Sequence, residues 1–433
     1  MVAGLMVGLV ASEQQPLFQH SSGSDRDNSI MDVINASPFL SFHRDLVQTE
    51  SISGNETEVG SLVAEFLEAH NFTVIKQAVN SADASRFNIF AYPSSLGSQQ
   101  PEILLTSHID TVPPFIPYSL SHVDNDSSSS SSSSKENIRI AGRGSVDAKA
   151  SVAAQVFSLL EVLNDSTTTT GSTPPIGLLF VTGEETGGDG MYAFSRSRDF
   201  NPSPSPYHTI IFGEPTEHAL VAGHKGMLRF NVEARGKAAH SGYPWLGHSA
   251  VSAILPALQR IDLLGETIPP QDGGLPSSDK FGNSTVNIGR VDAGVATNVV
   301  PASARAEIAI RLAAGDPTEV QGLIRRAIRD ALRDSGHDGH DVLADFDTYL
   351  ENYPPQDIDA DVEGFDVITV NYGTDVPHLT LHPHRDGKQV KRYLYGPGSI
   401  LVAHGDNEAL TVAELERAVG GYRRLIEAAL RRY

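Results

Sequence analysis

The sequence predicts an α/β protein in which a mostly parallel sheet is flanked by helices and interrupted by an inserted α+β domain of ferredoxin-like order. Helical stretches alternate with short apolar runs, this pattern changes in mid-chain, and it returns near the C-terminus. At 433 residues the chain is too long for one ordinary core. We therefore expect a signal-like, disordered N-terminus (1–38), a main domain in two parts (39–222 and 354–433) and an inserted domain (223–353).

The first part of the main domain should begin with helices and continue with buried strands. Helical patterns occupy FLSFHRDLVQTES and VGSLVAEFLEAH. Apolar runs bounded by turn residues predict strands of a parallel sheet at 87–92, 103–106, 176–182 and 209–212. Residues 150–164 place their apolar side chains on one helical face. A run of eight serines within 124–135 should be a mobile insertion without a function of its own.

The inserted domain should contain four strands and two helices. Leu228, Phe230 and Val232 alternate with polar residues, which predicts a half-buried strand. A helix (248–264), two strands (284–291 and 304–312), a helix that opens at Asp316 and a strand (341–350) follow. This order is the split βαβ arrangement, an antiparallel sheet with two helices on one face. Beyond it, the apolar run 394–403 returns to the main domain, and the last helix should be capped by Thr411 with Glu414.

Charge and cysteine content exclude several classes of protein. The net charge of -21 and a pI near 5.1 argue against nucleic acid or an anionic membrane as partner, because phosphate contacts need clustered Lys and Arg. The absence of cysteine excludes disulfides, thiolate zinc fingers and a cysteine nucleophile. Any metal must therefore be held by oxygen and imidazole ligands.

Two features favour a secreted glycoprotein. An uncharged apolar run (VAGLMVGLVA, 2–11) has the length of a signal peptide, although the usual basic start is absent. N-glycosylation sequons begin at Asn35, Asn55, Asn71, Asn125, Asn164 and Asn283. Chance sequons in a vacuolar or cytoplasmic protein are the alternative.

Acidic or imidazole side chains end four apolar stretches that we predict to be strands: EILLTSHID, IGLLFVTGEE, TIIFGEPTE and SILVAHGDNE. Because ligands bind at the carboxyl ends of strands in open α/β sheets, these side chains should converge. They are His108, Glu184, Glu185, Glu214 and His404. Asp147, in GRGSVDAKAS just before a helix, can reach the same crevice.

Two imidazoles and three carboxylates would suit a pair of divalent cations where sulfur is absent. Three carboxylates and one hydroxide would neutralise two Zn²⁺ ions, and a hydroxide between two metals is a nucleophile at neutral pH. One carboxylate must then bridge, which leaves one His and one Glu for each ion. A single Glu-Glu pair or H-x-D is usually a solvated surface feature, so the prediction depends on the joint occurrence of these residues.

The order of six motifs resembles that of the co-catalytic zinc metallopeptidases, which include bacterial glutamate carboxypeptidase, acetylornithine deacetylase, succinyl-diaminopimelate desuccinylase and aminoacylase. The motifs are SHIDTVP, GRGSVDAKAS, VTGEETGG, FGEPTE, GKAAHSGYP and AHGDNE. They extend over most of the chain from about residue 40 and look most like those of secreted carboxypeptidases of filamentous fungi. The resemblance implies a zinc exopeptidase type of main domain, with an inserted domain that pairs two copies into a homodimer or acts as a lid in a monomer.

Carried over residue by residue, the resemblance implies a metal centre of two Zn²⁺ ions per chain, for which Co²⁺ can substitute. Asp147 would bridge the two ions. His108 and Glu214 would hold one of them, and Glu185 and His404 the other.

The resemblance also implies the catalytic groups. Glu184 would be the general base, on the opposite side of an extended chain from Glu185. Asp110 would accept the free N–H of His108 and fix its tautomer. His240 would donate a hydrogen bond to the tetrahedral oxyanion.

Three further residues match positions that bind substrate in this family. Asn298 and Arg311 would hold the substrate carboxylate, Arg311 by a bidentate pair, and Gly398 would add a backbone N–H. A structural, ion-paired arginine is the alternative for Arg311. Asp375 is expected at the cleft by family analogy alone. The remaining histidines are predicted as surface or packing residues: His122, His208, His218, His248, His337, His340, His378, His382 and His384.

The sequence therefore predicts a zinc-dependent carboxypeptidase that hydrolyses an amide bond next to a free α-carboxylate, with a metal-bridging hydroxide as nucleophile. The alternative enzyme is an N-acyl-amino-acid deacylase of the acetylornithine deacetylase type, because the two share every catalytic residue. A non-catalytic scaffold protein is the third hypothesis, although such proteins usually lose metal ligands or the catalytic base. The substrate would be a peptide for the carboxypeptidase or an N-acyl amino acid for the deacylase.

Overall fold

The computed structural model describes residues 24–80, 83–123, 135–169, 172–266, 270–337, 342–348 and 352–432. Its helices are α1 (Ser24–Ala36), α2 (Pro38–Gln48), α3 (Thr57–Ala69), α4 (Lys149–Thr169), α5 (Asp189–Arg196), α6 (Ala250–Glu266), α7 (Pro317–Asp334) and α8 (Val412–Leu430). Its strands are β1 (Phe72–Asn80), β2 (Asp83–Pro93), β3 (Ile103–His108), β4 (Ser119–His122), β5 (Ile138–Ala141), β6 (Ile176–Val181), β7 (Thr209–Gly213), β8 (Leu220–His224), β9 (Gly226–Arg235), β10 (Ser277–Ser278), β11 (Gly282–Asn283), β12 (Thr285–Ala293), β13 (Ser303–Leu312), β14 (Val342–Asp345), β15 (Gln356–Asp357), β16 (Val367–Val370), β17 (Lys391–Tyr395) and β18 (Ala409–Thr411). The apolar run at 2–11 and the serine run lie outside the described residues.

The main sheet has six strands in the order β1-β2-β6-β3-β7-β17. Only β2, among these six, runs opposite to the others, so the predicted mostly parallel sheet is confirmed. Successive residues of its buried central strands face opposite cores. Ile103 and Leu105 pack in the core that contains α4 and α8, and Leu104 packs in the core that contains α5. Helices therefore cover both faces, as burial of β3, β6 and β7 requires.

The predicted ferredoxin-like arrangement is confirmed in a separate antiparallel sheet of order β12-β13-β9-β14. Alternate residues of β13 are buried, and helices α6 and α7 complete a second hydrophobic core. Asp316 caps α7, because its Oδ1 accepts the N–H of Thr318 at 2.8 Å. Strand β14 is shorter than predicted, and residues 341, 349 and 350 lie outside the described part.

The prediction of a disordered segment up to residue 38 is wrong from Ser24 onward. Residues 24–36 form α1, and Ile30 and Ile34 are 4% and 0% exposed in the main core. Four residues apart, these side chains lie on one face of a helix. Val33 packs against the same core, so a few apolar side chains anchor a helix that is otherwise rich in polar residues. None of the helices in the described ranges has the length and apolar character needed to cross a bilayer.

The apolar run 394–403 is not a continuous strand. β17 pairs in parallel with β7 only as far as Tyr395, and the chain then turns. Pro397 cannot donate to a sheet, and Gly398 has a φ of 74°. His404 consequently lies in a turn, itself with a φ of 63°, and not at the end of a strand as predicted.

Candidate active site and metal centre

Three parallel strands deliver acidic and imidazole side chains to one edge of the main sheet. His108 is the last residue of β3, Glu184 and Glu185 begin a short 3₁₀ turn after β6, and Glu214 follows β7. Since these strands are neighbours, their carboxyl ends meet at the same edge. Asp147 reaches this edge from the turn before α4.

The shared centre of the cluster is the Asp147 carboxylate. Its Oδ1 lies 3.0 Å from His108 Nε2, which is 3.8 Å from Glu214 Oε2. Its Oδ2 lies 3.4 Å from His404 Nε2, which is 2.9 Å from Glu185 Oε2. The two oxygens of Asp147 therefore face two separate His-Glu pairs.

The two halves of the cluster differ in exposure. His108 and Glu214 are 1% and 6% exposed, whereas the His404 side chain is 53% exposed. His404 is therefore the ligand that is open to solvent, since the Glu185 side chain beside it is only 6% exposed.

Burial and crowding of like charges dominate the electrostatics. Burial raises the pKa of Glu214 to about 8, and burial followed by the nearby Glu214 charge raises the pKa of Glu184 well above its usual value. Burial also raises the pKa of Glu185. Hydrogen bonds to Asp147 and Glu185 raise the pKa of His404 to about 10. Divalent cations beside these carboxylates would favour their charged forms and so lower these pKa values.

The donor set fits divalent cations. One ligand atom each of His108, Asp147 and Glu185 lies within 4.8 Å of the others. Glu185 Oε1 is buried and has no hydrogen-bond partner among the described residues, which leaves a lone pair available to a metal. Because His108 Nδ1 lies against the carbonyl of Asp110, its Nε2 is the nitrogen that faces the cluster. A nitrogen and oxygen set without sulfur suits Zn²⁺ or a similar ion.

Asp110 lies beside His108, as predicted, but its backbone oxygen is closer to the imidazole than its carboxylate. His108 Nδ1 is 3.0 Å from the backbone oxygen of Asp110 and 3.6 Å from the carboxylate Oδ1. The carboxylate also accepts the N–H groups of Glu184 (3.1 Å) and Glu185 (3.2 Å) and the hydroxyl of Ser53 (2.7 Å). The chain at Glu184 and Glu185 is a 3₁₀ turn and not the extended segment predicted, so Asp110 orients both acids through their backbone.

An open cleft lies over the cluster. The inserted domain and its C-terminal connection contribute Met227, Arg229, Arg311 and Tyr353 to its wall. The main domain contributes Asp147, Glu184, Glu185, Thr186, Gly187, Glu214, Tyr372, Gly373, Thr374, His378, Ile400 and His404. The acidic cluster therefore forms one end of a cleft between the two domains.

The predicted substrate-binding residues separate into two groups. Arg311 lines the cleft, and within the described part of the chain its buried Nη1 has no hydrogen-bond partner. His240 and Asn298 are exposed and lie outside the cleft wall, close together on the inserted domain, where the N–H of Ser241 donates to the carbonyl of Asn298 at 3.0 Å. Gly398 also lies outside the wall, and its carbonyl accepts the N–H of Glu217 at 2.9 Å.

His378 lines the cleft, although it was assigned to the surface or packing residues. Its Nδ1 is 3.1 Å from Asp375 Oδ1, and its buried Nε2 has no hydrogen-bond partner in the ranges that the structure describes. The ring packs on Tyr192, and a Cβ at Gly188 would lie 2.1 Å from its Nδ1. The Asp-x-x-His spacing in GTDVPH was the available signal, because this spacing brings the two side chains together within a single turn.

Comparison with known proteins agrees with this geometry. Residues 222–356 match the model of the peptidase dimerisation domain of the M20 family. A protein of Aspergillus oryzae described as "Probable carboxypeptidase" is 61% identical over 445 residues, which cover 99% of this chain and 98% of the relative. A protein of Aspergillus niger with the same description is 61% identical, and the match covers 100% of this chain and 98% of the relative.

The chain belongs to the M20 family of metallopeptidases. Its fold is similar to that of a Staphylococcus aureus tripeptidase, with a TM-score of 0.67, 21% identity and coverage of 92% and 99% of the two chains. It is also similar to an M20 family metallo-carboxypeptidase from Sulfolobus solfataricus, with a TM-score of 0.63, 16% identity and coverage of 91% and 99%. The relatives at 61% identity and the matched dimerisation domain make the chain a peptidase of this family.

Proposed function

We propose that this M20 peptidase is a zinc-dependent carboxypeptidase that hydrolyses the amide bond next to a free α-carboxylate. The observation that carries the proposal is the presence in one cleft of the metal-ligand cluster and of the unpartnered Arg311 Nη1. A buried guanidinium with free N–H groups is matched by a carboxylate, which it binds through paired hydrogen bonds. The scissile amide of a substrate held this way would lie between Arg311 and the acidic cluster.

His108 and Glu214 would hold one Zn²⁺ ion, Glu185 and His404 the other, and Asp147 both. Bound ions would supply Lewis-acid polarisation and a nucleophilic hydroxide at neutral pH. The residue set supports zinc because imidazole and carboxylate ligands surround the shared Asp147.

Glu184 is the general base in this proposal. It lines the cleft beside the cluster, and burial raises its pKa well above the ordinary value of a glutamate. A base of raised pKa both accepts a proton from water and returns it to the leaving amine near neutral pH. The hydrogen bond from its own backbone to Asp110 fixes the turn that presents it.

His378 shares the recognition of the substrate carboxylate with Arg311. The Asp375 carboxylate lies 3.1 Å from Nδ1 and accepts its N–H, and the buried Nε2 is left for a ligand. Both ring nitrogens donate only in the imidazolium form, so Nε2 would donate to a substrate carboxylate from a protonated ring. A buried nitrogen without a partner costs about 1–3 kcal/mol, and this hydrogen bond would remove the cost.

In a dimer, His240 and Asn298 of one copy would reach the cleft of the other copy. Both residues are exposed and lie away from the cleft wall of their own chain. Strand β12 is an edge strand, and Leu255 (56% exposed) and Val291 (53% exposed) add apolar surface beside it. We therefore propose a homodimer formed through the inserted domain.

We also propose that the protein is secreted and glycosylated. The described sequon asparagines are exposed, as a glycan requires: Asn35, Asn55, Asn71, Asn164 and Asn283. Mass analysis of the protein from its native culture medium, before and after glycosidase treatment, would test this part separately.

A side-by-side substrate panel tests the activity. Purified zinc-loaded protein is offered short peptides with a free C-terminus, the same peptides with a C-terminal amide, and N-acetyl amino acids. We expect release of the C-terminal amino acid from the free peptides only. Hydrolysis of N-acetyl amino acids with no release from peptides would replace the carboxypeptidase with a deacylase.

A further inference from the structure

Behind the metal-ligand cluster lies a buried ion pair of Arg143 and Glu408. Arg143 Nη1 donates to Glu408 Oε2 at 2.8 Å, and each side chain is 1% exposed. The two residues come from opposite ends of the main domain, in the motifs GRGSVD and AHGDNE. Both motifs also contain a residue of the cluster, Asp147 in the first and His404 in the second.

The second oxygen of Glu408 holds the backbone at Asp147. Glu408 Oε1 accepts the N–H of Val146 at 3.0 Å and the N–H of Asp147 at 3.1 Å. Both carboxylate oxygens of Glu408 therefore accept hydrogen bonds, one from Arg143 and one from the segment that contains Asp147.

The guanidinium of Arg143 holds the backbone at His404. Its Nη2 donates to the carbonyl of His404 at 3.3 Å, and its Nη1 donates to the carbonyl of Gly405 at 3.1 Å. Its Nε donates to the carbonyl of Pro114 at 3.3 Å, which ties the same group to the segment after β3. The rigid fork of an arginine can make these bonds at once.

We propose that Arg143 and Glu408 are positioning residues that fix the distance between Asp147 and His404 and thereby determine occupancy of the second metal position. His404 needs such an anchor because it lies in a turn, and its side chain is 53% exposed. A buried ion pair alone is weak evidence for folding stability, because apolar replacements are often neutral. The hydrogen bonds that this pair makes to the backbone of Asp147 and His404 point instead to a positioning role. The inference rests on the proposed metal centre.

Glu408→Gln is the first test. An amide has one acceptor oxygen, so it can serve either Arg143 or the two N–H groups at Val146 and Asp147, but not both. Loss of a group that orients metal ligands typically lowers metal affinity about 10- to 100-fold, and we expect a fall of that size. The measurement is equilibrium dialysis against buffered free zinc, followed by elemental analysis of the bound metal.

Arg143→Lys is the second test. Lysine keeps the charge beside Glu408, but a single ammonium cannot reach the carbonyls of His404, Gly405 and Pro114 together. We expect this variant to bind one zinc ion at a free zinc concentration that gives two in the unmodified protein. The ion retained should be the one assigned to His108 and Glu214.

Asp359→Asn is the matched control. Asp359 also accepts from a cation, Lys391 Nζ at 2.6 Å, and from a backbone N–H, that of Arg392 at 2.9 Å. Asp359 lies beside the first two residues of β17, and the metal cluster lies at the opposite end of the sheet. This variant should bind two zinc ions with unchanged affinity.

The outcomes separate the inference from the function on which it rests. Absence of zinc binding in the unmodified protein would overturn the metal centre itself. Two zinc ions of unchanged affinity in Glu408→Gln and Arg143→Lys would overturn the positioning role alone. Metal-free melting curves accompany each variant, and loss of the fold in both would assign the pair to stability and overturn the inference as well.

Discussion

The carboxylate of Asp110 accepts the backbone N–H of Glu184 over 3.1 Å, and this bond sets the direction in which the acid faces the cleft. The preceding Gly183 has a φ of 75°, a conformation that favours glycine. A Cβ there would lie 2.8 Å from Arg86 Nη2. The geometry of this turn, and not the alternation of a strand, therefore separates the roles of Glu184 and Glu185.

Replacing Glu184 with Gln should abolish turnover while metal binding persists. The amide cannot accept and return a proton, and general acid–base catalysis contributes about 100- to 10,000-fold to rate. We expect kcat to fall by that factor with zinc content still at two ions per chain. Glu65→Gln, on the exposed face of α3, is the control and should behave like the unmodified protein. A Glu184→Gln variant with near-normal kcat would remove Glu184 from the role of base.

The sequence was sufficient for the elements whose apolar pattern is strong. The central strands β3, β6 and β7 are buried on both faces and appear as continuous apolar runs, and β13 alternates clearly. Strand β1 was missed because most of its residues are at least partly exposed and it pairs only at the sheet edge. Local composition contains little information about such a strand.

The candidate site divides in the same way. Residues at the ends of buried strands, such as His108 and Glu214, could be placed from the sheet alone. His404 lies in a turn whose position depends on Arg143, a contact between distant segments that no local pattern reveals. For His378 the Asp-x-x-His spacing indicated a pairing with Asp375 but not a place in the cleft, because that place depends on packing against Tyr192.

Arg311→Met should reduce affinity for substrates with a free carboxylate. A hydrogen bond to a charged group contributes about 1.5–3 kcal/mol, which corresponds to about a 10- to 100-fold rise in KM. Peptides with a C-terminal amide form the comparison, because they lack the charge that Arg311 binds. Unchanged preference for the free over the amidated peptide in the variant would assign Arg311 a structural role.

His378→Phe tests the residue that the sequence did not indicate. Phenylalanine keeps a ring against Tyr192 but has no nitrogen for a substrate oxygen. We expect KM for free peptides to rise about 10-fold, as for one lost hydrogen bond, with kcat and zinc content little changed. His382→Phe, outside the cleft wall, is the control. A fall in kcat at constant KM would contradict carboxylate recognition by His378.

Acid should destabilise the metal-free protein partly through His43. Burial lowers the pKa of this imidazole to about 4, although a hydrogen bond to the carbonyl of Ser145 opposes the shift. Above pH 6.5 His43 is neutral in both states. Between about pH 6.5 and pH 4 the unfolded chain binds a proton that the folded chain does not, so stability falls as pH falls.

Urea unfolding of the metal-free protein at a series of pH values measures this effect. His43→Gln should make the dependence of the unfolding free energy on pH shallower by about one proton over that interval. The exposed His70→Gln variant is the control. An unchanged slope in His43→Gln would mean that His43 does not remain neutral in the folded protein.

Complementation between inactive variants tests whether His240 acts on the cleft of a second copy. His240 is exposed and outside the cleft wall of its own chain, while Glu184 lies inside it. His240→Ala and Glu184→Gln should each inactivate the homodimer. In a mixed dimer, one cleft would combine the intact Glu184 of one protomer with the intact His240 of the other, because both mutations then fall in the second cleft. Co-expressed and co-purified variants should therefore regain a substantial fraction of activity, measured against each variant alone. If His240 instead reaches the cleft of its own chain, each protomer of the mixed dimer retains its own defect and no activity returns.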